Sequence, residues 1–314
     1  MGVSENNSET AENEVQMQES GLPRKKLAAG YCRGIVNGLL YIMLFLALQV
    51  VGAFVCVIGY MIIGMTQTGA DPGREIAELA NRVQTPGIMT NITFISILIE
   101  GAVIYLIFRA KCKPDRSMPK EQRVQKRQRL ISSLLNSRTI LLLVSAIAAV
   151  YGMALLISYA VSAAFPGAEK DFESIMDSAT GGNPVIAFLT VVILAPVLEE
   201  MALRGIVMKL LAKYMPVKGV IIVQAVLFGI YHMNLMQVFY VLPLALLLGY
   251  TAYHFGSIIP CIGIHMLNNL MPYFFSLLHK KEVGIMVPVV ILAAASMVFL
   301  LTWKFVPQKD KAEA

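Results

Sequence analysis

The chain has 314 residues, 57% of them from the hydrophobic set and 15% charged, with a mean hydropathy of +0.66. Soluble globular chains run nearer one quarter charged, and the apolar residues here come in several blocks longer than the roughly 18 residues that cross a bilayer core as helix, which excludes a soluble fold. The net charge of +6 lies mostly in short stretches beside those blocks, with no basic–aromatic groove pattern or reader motif, and this sets nucleic acid aside as a partner.

In chain order, residues 1–23 are polar, acidic and poor in aromatics, which predicts a disordered tail. The basic cluster Arg24, Lys25, Lys26 and Arg33 then precedes an apolar block over 35–65. That block is too long for a signal-peptide core and has no obvious cleavage site, so it reads as a retained anchor, tilted or protruding from the bilayer. Hydropathy predicts further spans near 88–108, 139–165, 184–213, 217–235, 237–255, 257–278 and 283–303. The expected fold class is therefore all-α, a polytopic transmembrane bundle of about eight membrane helices. Residues 24–138 form two accessory helices and a basic loop, 139–280 a core, and 281–314 a last helix with a short tail.

Loop charge predicts orientation. The loop 109–138 is dense in Lys and Arg and should be cytoplasmic, whereas 166–183 carries Glu169, Asp171, Glu173 and Asp177 against Lys170 alone and should lie outside. Both termini then come out cytoplasmic, although Lys280 and Lys281 run against this count. Cys32, Cys56, Cys112 and Cys261 are scattered, with neither a disulfide framework nor zinc-finger spacing.

An ionisable side chain at a membrane-helix centre costs on the order of 2.5–3.5 kcal/mol on insertion scales, so each one is a functional candidate. The set is Glu100, Glu199, Glu200, Arg204, His232, His254 and His265, with Asn269 as an uncharged companion. Glu200 and Arg204 share a helix face at i,i+4 and read as an ion pair that lets the segment insert. Glu199 points about 100° away and is left without that partner, as a general base would be. Phe228 and His232 share a second face, where a packed core histidine is the competing reading. His265 and Asn269 share a third, where inter-helix hydrogen bonding competes. Together, three helices supply a carboxylate base, an imidazole that can share protons, and two donors for an oxyanion.

This ordered trio, Glu199-Glu200-x-x-x-Arg204, Phe228-x-x-x-His232 and His265-x-x-x-Asn269, resembles the CAAX prenyl protease and bacteriocin-processing family of glutamic intramembrane endopeptidases, also called Abi proteins. Ala195-Pro196, Gly205 and the run Gly256-Ser257-Ile258-Ile259-Pro260 agree with it, while Leu203 stands where the family usually has an aromatic. The resemblance covers about 184–277. It implies that Glu199 activates water with help from His232, that His265 and Asn269 stabilise the oxyanion, and that Glu200, Arg204 and Phe228 support the site. It implies no cofactor, a peptide or protein substrate at the bilayer, lipidated or not, and an integral membrane location. The short loops favour a bacterial plasma membrane.

Four other readings stay open: zinc held by Glu199, His232 and His265, for which no HExxH is present; a thiol peptidase using Cys261 and His265 at i,i+4; a non-catalytic immunity or scaffold protein; and a transporter with Glu100 and His254 as relay groups. Depth raises a difficulty. Each of Glu199 and His232 lies roughly 22 Å into its expected span at about 1.5 Å per residue, but from opposite sides. In a core of about 30 Å they would miss each other by about 15 Å, unless a boundary, a tilt or a break absorbs the difference.

Overall fold

The computed structural model describes residues 24–68, 72–112, 119–278 and 285–303, and every regular element among them is helical. The expected tail, and Lys280 with Lys281, lie outside the described residues. Helix α1 (Arg24–Thr68) leads to a short α2 (Pro72–Val83) and to α3 (Pro86–Lys111). After α4 (Lys120–Leu134) come α5 (Ser137–Ala164), α6 (Ala168–Thr180) and α7 (Pro184–Leu211). The chain closes with α8 (Val217–Tyr231), α9 (Leu235–Tyr240), α10 (Leu242–Phe255), α11 (Ile259–Leu278) and α12 (Met286–Trp303).

Local chemistry sets several boundaries. Asn183 caps α7 by accepting from the Val185 and Ile186 N–H groups at 2.9 and 3.3 Å, and Pro184 supplies a first helical residue that needs no donor. Asn136 caps α5 through the Arg138 N–H at 3.0 Å. Gly256, at φ 57°, ends α10 in the left-handed region that glycine reaches without strain.

Helix lengths depart from the hydropathy reading in places. Among the described residues, the helical stretches Ala28–Thr66, Pro86–Lys111, Ser137–Ala164 and Pro184–Leu211 are long and apolar enough to cross a membrane. The expected spans 217–235 and 237–255 are instead three shorter pieces, α8, α9 and α10. Hydropathy sets the boundary between these two spans near 236, and the structure has the break a few residues earlier, at His232-Met233-Asn234. There Met233 adopts φ 49°, and Asn234 restarts the helix by capping the Gln237 N–H at 3.1 Å.

Two of the expected loops also fold. The basic loop holds α4, and the acidic 166–183 segment holds α6, with Glu169 and Asp171 in its first turn, where the helix dipole favours them.

In lipid, apolar burial does not drive helices together; close backbone approach and inter-helix hydrogen bonds do. The bundle uses both. A Cβ on Gly101 of α3 would stand 2.8 Å from Leu198 Cδ1 of α7, so glycine there lets the two helices meet one residue from Glu100 and one from Glu199. A Cβ on Gly152 of α5 would likewise stand 3.0 Å from the Leu292 backbone nitrogen of α12. The largest core cluster joins α1, α3, α7, α8 and α10 through Phe45, Ile104, Leu203, Leu227, Phe228 and Ala245. The opposite face of α1, including Leu40, Met43, Val50, Phe54 and Ile62, is exposed and suited to acyl chains.

Candidate active site

Helix α7 is not uniform. Its middle turn, Ala195–Glu200, is flanked by two wider turns over Leu189–Leu194 and Met201–Val207, in which the Ala195 N–H reaches back to the Thr190 carbonyl and the Met208 N–H to that of Leu203. Such i→i+5 turns recur at functional sites because each inserts a residue and re-aims the side chains beside it. In the same register, the Val191 carbonyl would be served by residue 196. That residue is proline and has no N–H. Asn269 Nδ2 donates to Val191 O instead, at 3.0 Å, which ties α11 to α7. Asn269→Ala is expected to lower the unfolding midpoint of the protein in lipid or detergent, because stranding such a carbonyl costs about 1–3 kcal/mol.

Glu200 and Arg204 form the ion pair read from their spacing, Nη1 to Oε1 at 2.9 Å, with both side chains fully buried. The guanidinium also donates to the Ala245 carbonyl at 3.2 Å and lies 4.8 Å from the Phe228 ring centre. Gln224 of α8 donates to the same carbonyl at 2.8 Å. The guanidinium is thereby held on three sides, by the Glu200 carboxylate, the Ala245 carbonyl and the Phe228 ring, and a buried charge needs such partners.

His265 joins this layer to the neighbouring carboxylate. Its Nδ1 lies 2.8 Å from Glu200 Oε1, and its Nε2 lies 3.6 Å from Glu199 Oε2. Glu199 is therefore not fully alone, as its helical phase suggested: an imidazole from α11 faces it. Its side chain keeps 15% exposure against none for Glu200, so of the two adjacent acids it is the one open to the cavity.

His232 caps the end of α8. Its Nδ1 is 2.8 Å from the Phe228 carbonyl, which can only accept, so Nδ1 carries the proton and a neutral ring leaves Nε2 bare. The Phe228 ring meets His232 edge to face at 4.7 Å and His265 at 5.7 Å.

These groups open on one cavity of about 630 Å³, lined by Glu199, His232, His265, Asn269 and Phe228 together with Asn268, Glu100 and Tyr231. Helix α6 covers one side through Phe172, Ile175, Met176 and Ala179, the apolar stripe of an amphipathic helix. The difficulty over depth also resolves. Helix α7 runs 28 residues, or about 42 Å, longer than the bilayer core, so counting from its start misplaced Glu199. Counted instead from the α7–α8 turn, Glu199 is about 18 Å up and His232 about 22 Å.

The rivals fare differently. Cys261 is fully buried, its thiol 3.3 Å from the Leu248 carbonyl of α10, and it does not line the cavity. Nor does His254, which stacks on Tyr250 at 5.8 Å, so the relay pair of Glu100 and His254 is not brought together there. Among the described residues, no three His, Cys, Asp or Glu side chains are disposed to hold a metal ion. Leu203, where the motif departs from an aromatic, is fully buried in the core cluster. Two cavity residues escaped the motif reading. Tyr231 offered no signal beyond its place before His232, whereas Glu100 was visible as a lone carboxylate without an assignable partner.

Fold and site define the class: an all-α membrane-type bundle whose polar groups converge on an internal cavity. Residues 181–271 match the family model described as type II CAAX prenyl endopeptidase Rce1-like. The resemblance carried by the three motifs is thus met independently over the segment that holds all of them. No curated protein and no solved structure gives a significant match to the chain.

Proposed function

We propose that the protein is an intramembrane endopeptidase in which Glu199 activates water against a peptide bond of a membrane-associated or lipidated substrate. The observation that carries this reading is the convergence of Glu199, His232, His265 and Asn269 on one cavity, with the Glu200–Arg204 pair buried behind them. A carboxylate partly open to the cavity can take a proton from water as its oxygen attacks the carbonyl carbon. The bare Nε2 of His232 can hold or pass a proton to the leaving amine. An imidazolium at His265, with Nδ1 directed to Glu200, would present its Nε2–H to the oxyanion, and an Asn269 N–H would add a second donor. The products are a new carboxylate and a new amine, with one water consumed.

A CAAX prenyl endopeptidase family makes a prenylated C-terminal peptide one candidate substrate, and a peptide precursor held at the membrane is another. The loop charges favour both termini in the cytoplasm. The test is cleavage of a peptide library by protein in lipid, read by mass spectrometry. Activity should persist in strong chelator and in Cys261→Ala. Loss on chelation with recovery on zinc would overturn the metal-free reading, and loss in Cys261→Ala with the fold intact would restore the thiol.

A further inference from the structure

The reaction scheme leaves one buried ionisable group unused. Glu100 sits at the middle of α3, 3% exposed, and lines the same cavity as Glu199. The Tyr231 hydroxyl donates to its Oε1 at 3.1 Å, a bond between residues 131 apart in the chain. Tyr231 is the last residue of α8, and His232 is the cap that follows it.

That position matters because α8 ends weakly. The His232 N–H reaches the Gly229 carbonyl at 3.2 Å and the Met233 N–H the Ile230 carbonyl at 3.1 Å, three-residue turns of poorer geometry than the helix proper. The next residue, Met233, is 75% exposed at φ 49°, so its side chain does not pin the end of the helix. Gly229, whose missing Cβ leaves room for the Val238 carbonyl, lets α9 pack against the same turn. The His232 ring is fixed to its own helix by the Phe228 carbonyl and by the edges of Phe228 and Tyr231, the latter at 5.9 Å. Where that ring stands relative to Glu199 therefore depends on what anchors the last turn of α8 to its neighbours. The Tyr231–Glu100 bond does this, and it anchors to α3, the helix that Gly101 brings against α7 beside Glu199.

We propose that Glu100 is a positioning residue for His232, acting through the Tyr231 hydroxyl. The inference rests on the reaction scheme above, in which His232 serves the water activated by Glu199. It accounts for a carboxylate in an apolar span whose insertion cost would otherwise go unanswered, and it assigns Tyr231 a role.

The experiment uses the full chain in lipid and a peptide that the wild type cleaves. Tyr231→Phe and Glu100→Leu should each lower kcat by about tenfold with KM within about twofold, as expected when a catalytic group shifts by a fraction of an ångström. The double variant should lose no more than either single one, because both remove the same bond. Glu100→Gln, whose amide oxygen still accepts from Tyr231, should recover most of the rate. Unfolding midpoints are measured for all four variants.

Three outcomes would overturn the proposal: Glu100→Gln as slow as Glu100→Leu while Tyr231→Phe keeps the wild-type rate; additive losses in the double variant; or rate losses that simply follow lost stability. Glu199→Gln is assayed alongside, so that failure of the reaction scheme shows as an active Glu199→Gln, whatever the Glu100 series does.

Discussion

Replacing Glu199 by Gln is expected to lower kcat by about 10³-fold with KM little changed, within the 10²–10⁴ range for loss of a general base. The amide keeps the size of the side chain and can still face His265 Nε2, which lies 3.6 Å from the present carboxylate, so packing around the site should survive. What disappears is the acceptor for the water proton. The measurement is the initial cleavage rate in lipid against substrate concentration, together with the unfolding midpoint as a control. A Glu199→Gln protein within tenfold of wild type would remove the water-activating role from this residue. Glu200→Gln forms the necessary contrast: it disturbs a fully buried ion pair, so its effect should appear in stability as well as in rate.

Arg204→Met should be the most destabilising single change in the site. It leaves the Glu200 carboxylate fully buried with His265 as its one remaining polar partner among the described residues, and it takes a donor from the Ala245 carbonyl, although Gln224 keeps its bond there. Removing one member of a buried pair costs about 3–5 kcal/mol, because the other charge is left uncompensated. Replacing both, as Glu200→Met with Arg204→Met, should restore most of the unfolding midpoint, since an apolar pair of similar volume strands no charge. Activity should stay low in the double variant, because His265 Nδ1 then has no Glu200 oxygen to orient it. Full activity in that variant would show that the pair serves insertion alone.

Legibility in the sequence followed the range of each interaction. The Glu200–Arg204 pair, the shared face of Phe228 and His232, and that of His265 and Asn269 are all i,i+4 relations, which helical geometry dictates before any tertiary contact forms. The long spans near 88–108, 139–165 and 184–213 were readable for a similar reason, since sustained apolar length is a property of the chain alone. Helix α6 was read as a loop because its acidic residues dominated the charge count, while its apolar stripe of Phe172, Ile175, Met176 and Ala179 has a use only against a cavity that the sequence does not display. The break between the spans 217–235 and 237–255 falls a few residues earlier than hydropathy sets it, because its position depends on a left-handed Met233, a conformation no residue preference announces there.

By itself, then, the sequence determined that this chain is helical, that it belongs in a membrane, and which polar residues interrupt its apolar blocks. Composition and the 3.6-residue period act locally and leave their marks in order along the chain. Only the tertiary structure decided which of those residues meet. It set His265 between two acids from another helix, sent Asn269 to the carbonyl that Pro196 cannot serve, turned Cys261 towards α10, and brought Glu100 to Tyr231. Those partners lie between 13 and 131 residues apart, and their pairing follows from how the helices pack and where they break, which no local pattern records.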